Sequence, residues 1–296
     1  MTGTLLGQAQ VVLAPWTTYR VGGPAQWLAL PRSQGELQQV LQWAAAQDLP
    51  VTVIGAGSNL LVSDRGVPGL VVCTRYLRGV QWHAESGQVT AAAGVPLPQL
   101  AWEAARRGWQ GLAWAVGIPG TVGGAVVMNA GAQGGCTAEV LVSVQVWQAG
   151  RVVTYRPADL AYAYRASRLQ SLPGVVLAAR WQCCPGHDPR QLLHQTSAYL
   201  QHRRRTQPYH LPSCGSVFRN PPQHPAGWLI ERSGLKGYQI GQAQVSPLHA
   251  NFIVNLGGAT AQDIYALIHH VQRVVAERWD ILLHPEVKFL GEFNPV

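Results

Sequence analysis

The sequence predicts a mixed α/β fold of two or three modest domains, and three stretches carry that reading. An amphipathic helix over residues 33–47 leads directly into the β-branched run 51–54 and a glycine turn, the order of an α/β layer. The middle of the chain holds turn-bounded strand-like runs at 140–147, 152–153 and 175–181. The last third joins a short strand at 251–255 to the clearest helix in the sequence, residues 260–279. With 296 residues there is ample chain for buried cores, and 47% hydrophobic against 12% charged residues excludes a disordered protein.

The elements justify themselves in order. Ser33 and Glu36 have capping-box spacing, and Leu37, Val40, Leu41, Ala44 and Ala45 share a helix face. Residues 69–72 read as a strand, and two weak strands flank the turn Glu85-Ser86-Gly87. Leu97, Leu100, Ala101 and Ala104 face inward on a helix over 96–107. Gln148-Ala149-Gly150 is a hairpin turn. Asp188 and Pro189 begin another helix as cap and first residue, ending in Arg203-Arg204-Arg205. Residues 207–220 read as loop and strand, and 227–232 as a short helix. Thr260 and Asp263 open the long helix, and Ile264, Leu267, Ile268, Val271, Val274 and Val275 form its apolar stripe.

Charge and cysteines bound the function. The net charge of +8 favours anionic partners without choosing among them. Five cysteines without a CxxC pair give neither a disulfide framework nor metal spacing, so a reducing cytoplasm and no metal are expected. The N-terminus MTGTLLGQAQ lacks the pattern of a signal peptide, and no apolar run reaches membrane-spanning length.

Two glycine stretches dominate. Ile54-Gly55-Ala56-Gly57-Ser58-Asn59-Leu60 follows a strand, and GIPGTVGGAVVMNAGAQGG spans 117–135 with almost no charge. Glycine allows positive φ and close approach of backbone to a ligand. The first stretch is not a dinucleotide fingerprint, because Leu60 stands where the third glycine belongs, and no phosphate-binding GxxxxGK[ST] occurs. Two such loops beside apolar runs suit one extended ligand held from two sides.

Together the two loops, in this order, resemble the UDP-N-acetylenolpyruvoylglucosamine reductase family, from Thr17-Thr18-Tyr19-Arg20 to Pro285-Glu286-Val287. That resemblance implies a two-lobed FAD-binding domain of the vanillyl-alcohol-oxidase type (residues 1–72 and 73–187). A C-terminal α+β substrate-binding domain (188–284) and a segment returning to the active site (285–296) would complete it. It implies non-covalent FAD and NADPH as cofactors, reduction of UDP-N-acetylglucosamine enolpyruvate to UDP-N-acetylmuramate, and a place in peptidoglycan precursor synthesis. The FAD contacts it implies are Ile54, Gly55, Ala56, Gly57, Ser58, Asn59 and Leu60 in the first loop. In the second they are Gly117, Ile118, Pro119, Gly120, Thr121, Gly123, Gly124, Asn129, Gly131 and Ala132.

The same resemblance assigns the chemistry. Arg165, in Tyr164-Arg165-Ala166-Ser167, is the expected contact for the enolpyruvyl carboxylate, with Tyr164 beside it. Ser216, after Gly215, is the expected proton donor, and Glu286 the third catalytic residue. Arg203, Asn220 and Lys236 are the expected substrate contacts, with Thr206 standing where many relatives carry lysine. The segment from Arg165 to Arg203 is too short for the tyrosine-bearing insertion of the longer reductases. Cys214 and His249 read as structural. A monomer using only small molecules, with no nucleic acid or membrane partner, is expected. The alternatives are a related FAD-dependent alcohol oxidase, an inactive flavin-binding protein, and an arginine-rich nucleic-acid binder. Covalent flavin attachment through histidine is common among the oxidases, and neither glycine loop contains one.

Overall fold

The hydroxyl of Ser33 accepts the Glu36 N–H at 3.1 Å, opening the helix Gln34–Ala46 in the computed structural model, which describes residues 7–296. Leu37, Val40 and Ala44 are its buried face. The first six residues of the N-terminus read above for a leader lie outside the described residues. Thr260 and Asp263 cap Ala261–Trp279 reciprocally, as their spacing predicts. A further acceptor comes from far away in sequence: the Asp64 carboxylate accepts the Ala261 and Gln262 N–H groups at 2.9 Å each.

The described chain divides into two units, each assembled from separated segments. The division falls inside the strands Pro24–Ala29 and Val67–Cys73 and near the end of the helix Pro189–Thr206.

One unit is built mainly from Ala29–Ala56 and Val72–Arg203. Its centre is an antiparallel five-stranded sheet in the order Arg151–Tyr155, Leu141–Gln148, Val175–Gln182, Gln88–Ala92, Val80–His83. Val144 lies opposite Ala179, and Ala179 opposite Ala91, which puts three buried side chains in one row. Trp181, fully buried, and the inner face of the helix Leu97–Arg106 complete this core. The register between Leu141–Gln148 and Val175–Gln182 shifts between Leu141 and Ser143 and between Gln145 and Val146.

The other unit holds Gln8–Leu28, Gly57–Val71 and Arg204–Val296. A three-stranded antiparallel meander, Gln239–Ile240, Ala243–Val245 and Ile253–Asn255, packs against Ala261–Trp279. Ile264, Leu267, Ile268, Val271 and Val275 are its buried stripe. The short strands Leu60–Val62 and Lys288–Leu290 pair in parallel, Lys288 opposite Leu60.

Two stretches differ from the sequence reading. The second glycine stretch contains a helix, Val122–Met128, capped by Thr121 and ended by Asn129 in the left-handed region at φ 44°. Gly123 is there for packing, since a Cβ would stand 3.0 Å from that of Ala93. Residues 207–220 form no strand; they are held by the isolated bridge of Phe218 to Pro285 and by side chains.

Candidate active site

The first glycine loop is tied down by its carbonyls. Thr74 Oγ1 donates to Ile54 O at 3.3 Å, while Arg75 Nε donates to Gly55 O at 3.2 Å and Nη2 to Ala56 O at 2.7 Å. Three successive carbonyls are therefore fixed toward the segment after Val67–Cys73. In the same unit the two glycine stretches meet, because a Cβ on Gly55 would lie 2.6 Å from Thr121 Oγ1. The cradle exists only while that Cβ is missing, which fits a ligand lying against backbone, as an extended dinucleotide does. Nothing in the sequence around Arg75 singles it out, since its neighbours look like an ordinary strand end. Arg75→Ala is expected to weaken FAD binding about 10- to 100-fold through loss of charge-assisted hydrogen bonds, read by titrating the apoprotein with FAD.

Arg165 is docked on the second stretch. Its Nη2 donates to Gly131 O at 2.8 Å, and its backbone sits in the left-handed region at φ 55°. That conformation costs a non-glycine residue about 1–2 kcal/mol, so the surroundings must enforce it. They do so through Asn129, Ser167 and Gln170. Asn129 Nδ2 donates to Ala163 O at 2.9 Å and its Oδ1 accepts the Ala138 N–H. Ser167 Oγ bonds Val127 O, and Gln170 Nε2 reaches both Val127 O and Arg165 O. Asn129 thus ties the arginine-bearing turn, through Nδ2, to the start of the helix Thr137–Val140, through Oδ1. Tyr164 is exposed, with the Arg165 guanidinium 5.0 Å from its ring centre.

In the other unit Ser216 and Glu286 lie on neighbouring backbone. Glu286 N donates to Val217 O at 2.7 Å, and Arg219 N to His284 O at 2.9 Å. Asn59 Nδ2 donates to Glu286 O, and Lys288 N to Asn59 O. The end of the first glycine loop, the serine segment and the C-terminal segment are therefore one hydrogen-bonded assembly. Lys288 belongs to it as well. Burial, reinforced by the Arg219 charge and opposed by Glu286, holds its ammonium below the ordinary lysine range.

Two residues read as structural from sequence make local packing and backbone contacts. His249 Nδ1 accepts the Asn251 N–H at 3.2 Å, and its ring meets Phe252 edge-on. Cys214 is buried against Tyr19, and burial pushes its thiol up to about 12 from 9.0. The folded value lies above the unfolded one, so the neutral thiol's contribution to stability is complete below pH 9 and is lost as pH climbs toward 12. At pH 8 a thiol reagent is expected to label exposed Cys184 and, more slowly, Cys136. Buried Cys73, Cys183 and Cys214 should react only after unfolding, as peptide mass spectrometry would show.

The remaining expected substrate contacts are placed less centrally. Lys236 Nζ pairs with Glu231 Oε1 at 2.8 Å, and Asn220 Oδ1 accepts the Ala226 N–H at the start of the helix Ala226–Arg232. Arg203 lies on the helix Pro189–Thr206, a little-buried element with only Leu192 and Thr196 inside. Among the described residues there is no group of three or more His, Cys, Asp or Glu arranged for a metal ion. No described helix is long and apolar enough to cross a membrane.

Known proteins resemble this chain over nearly its whole length. Residues 25–155 match a family described as FAD binding domain, and residues 207–290 one described as UDP-N-acetylenolpyruvoylglucosamine reductase, C-terminal domain. The chain is 58% identical over 288 residues to the UDP-N-acetylenolpyruvoylglucosamine reductase of a Nostoc species, covering 97% of this chain and 87% of that one. It is 59% identical over 292 residues to that of a Synechococcus species, covering 97% and 94%. The crystal structure of the reductase from Thermus caldophilus superposes with a TM-score of 0.82 at 37% identity, over 96% of this chain and 99% of that one. An FAD-binding domain joined to that C-terminal domain, on a mixed α/β fold, places the chain in the UDP-N-acetylenolpyruvoylglucosamine reductase family.

Proposed function

We propose that this chain reduces UDP-N-acetylglucosamine enolpyruvate to UDP-N-acetylmuramate, with Arg165, Ser216 and Glu286 as its catalytic residues. The observation that carries the residue assignment is the backbone bond between Glu286 and Val217, which holds the C-terminal segment against the residue that follows Ser216. Bound FAD supplies hydride taken from NADPH. Ile54 to Leu60, with Gly117 to Thr121, Gly123, Gly124, Asn129, Gly131 and Ala132, would hold it.

The protein's own part is to polarise the substrate and deliver a proton. As hydride adds to the terminal carbon of the enolpyruvyl double bond, negative charge gathers on the carbon bearing the carboxylate. The Arg165 guanidinium, its direction fixed by Gly131, is suited to hold that carboxylate and offset the growing charge. Ser216 then gives its hydroxyl proton to the carbanionic carbon. A serine is a weak acid, and only such a strongly basic acceptor within hydrogen-bond reach makes it an effective donor. Glu286 is the proposed residue that orients the substrate and organises the path by which a solvent proton returns to the serine.

Arg203, Asn220 and Tyr164 are the proposed contacts for the nucleotide sugar. Lys236 would exchange Glu231 for the substrate only by breaking an ion pair. The positive net charge suits two anionic substrates. We assign the enzyme to the cytoplasm, in keeping with five cysteines that form no disulfide framework, and expect a monomer. The test is product formation: the FAD-loaded protein should consume one NADPH per UDP-N-acetylmuramate formed. NADPH consumption that requires oxygen, with no muramate product, would instead favour the oxidase reading.

A further inference from the structure

We infer that Asn251 is the positioning residue of the proton donor, a reading that rests on the role proposed for Ser216. Asn251 is 3% exposed, and three of its groups grip the two residues after Ser216. Its carbonyl accepts the Val217 N–H at 2.9 Å. Its side-chain Oδ1 accepts the Phe218 N–H at 2.9 Å, and Nδ2 donates to Phe218 O at 2.8 Å. The carboxamide thereby supplies both bonds that a neighbouring strand would give, where no strand is present.

The opposite edge of the same segment is taken by the C-terminal chain. Val217 O accepts from Glu286, and Arg219 N donates to His284 O. Val217 and Phe218 are thus fixed from both sides, Phe218 opposite Pro285 and Val217 bonded to Glu286, one residue after Ser216. Upstream, Gly215 has φ 83° and nothing within 4 Å of where a Cβ would be. No Cβ braces the chain at Gly215, just before the serine. Its direction depends on the anchored pair that follows, and Asn251 is the anchor.

Asn251 is itself held rigidly. Its N–H goes to His249 Nδ1, and Ser246 Oγ accepts the Leu248 and His249 N–H groups at 3.2 and 3.3 Å. A group placed this firmly controls distance at the reacting carbon, where a misplacement of about 1 Å costs on the order of 100-fold.

The test uses FAD-loaded Asn251→Ala and Asn251→Asp. The aspartate keeps the volume and the acceptor but turns an oxygen toward the Phe218 carbonyl, so it reports even if the alanine variant folds poorly. Anaerobic bleaching by NADPH, per bound flavin, should stay within about twofold of native, because no proton from Ser216 is needed there. Recovery of absorbance on adding the enolpyruvyl nucleotide should slow about 10- to 100-fold, with a larger solvent deuterium isotope effect. Amide exchange at Val217 and Phe218 should quicken in the flavin-free variants. Native recovery rates in both variants, while Ser216→Ala is slow, would overturn the inference alone. Equal slowing of both steps with an unchanged isotope effect would also overturn it, leaving Asn251 a residue of the fold. A native recovery rate in Ser216→Ala would instead remove the donor role on which the inference rests.

Discussion

Replacing Ser216 with alanine is expected to slow reduction of the enolpyruvyl nucleotide by about 10²- to 10⁴-fold, the usual contribution of a positioned general acid. Reduction of the flavin by NADPH should proceed at close to the native rate. The separation follows from the chemistry, since only the second step leaves a carbon that must be protonated. It also follows from the structure, because Ser216 sits in a segment whose backbone is held by Asn251 and Glu286 rather than by its own hydroxyl. Removing one oxygen therefore leaves the scaffold intact. A variant that loses both steps equally, with flavin still bound, would contradict the assignment.

Gly57→Ala is expected to abolish FAD binding at ordinary concentrations. Gly57 has φ 66°, and a Cβ there would run into the Trp16 carbonyl oxygen and stand 2.8 Å from Thr17 Cα. Neither neighbour yields cheaply, since the Gly57 carbonyl in turn accepts the Thr18 N–H at 3.1 Å and its hydroxyl at 3.4 Å. Left-handed strain of about 1–2 kcal/mol and forced displacement of about 1–3 kcal/mol together weaken the site on the order of 100-fold. Gly150→Ala is the control. It has φ 80° but nothing within 4 Å, so it should carry the strain without the collision and retain FAD. The flavin-to-protein ratio after gel filtration distinguishes the two, and full retention by Gly57→Ala would contradict the cradle.

Much of this architecture is legible in the sequence where the deciding interaction is local. Ser33 with Glu36, and Thr260 with Asp263, announce their helices because cap and first turn are three residues apart. Three strands of the five-stranded sheet, Leu141–Gln148, Arg151–Tyr155 and Val175–Gln182, show as valine-rich runs between turns. The helix Val122–Met128 is hidden because two of its seven residues are glycine, normally helix-breaking, and Gly123 is required only by the distant Ala93. The parallel pairing of Leu60–Val62 with Lys288–Leu290 is equally hidden, since no hairpin turn marks it.

The site divides in the same way. Arg165, Ser216 and Glu286 stand out through motifs shared with a known family, not through anything composition or periodicity reveals. Their supports are a different matter. Arg75, Asn129 and Asn251 each act by bonding backbone far off in sequence, and Asp64 caps a helix that starts almost two hundred residues later. Polar residues of that kind read as ordinary turn chemistry until the chain has folded.

The most direct measurement is the visible spectrum of the FAD-loaded protein without oxygen, treated first with NADPH and then with UDP-N-acetylglucosamine enolpyruvate. Loss of the flavin absorbance followed by its full return, with one equivalent of UDP-N-acetylmuramate formed per flavin, is the predicted result. Loss without return on adding that nucleotide would contradict the proposed substrate and the roles given to Arg165, Ser216 and Glu286.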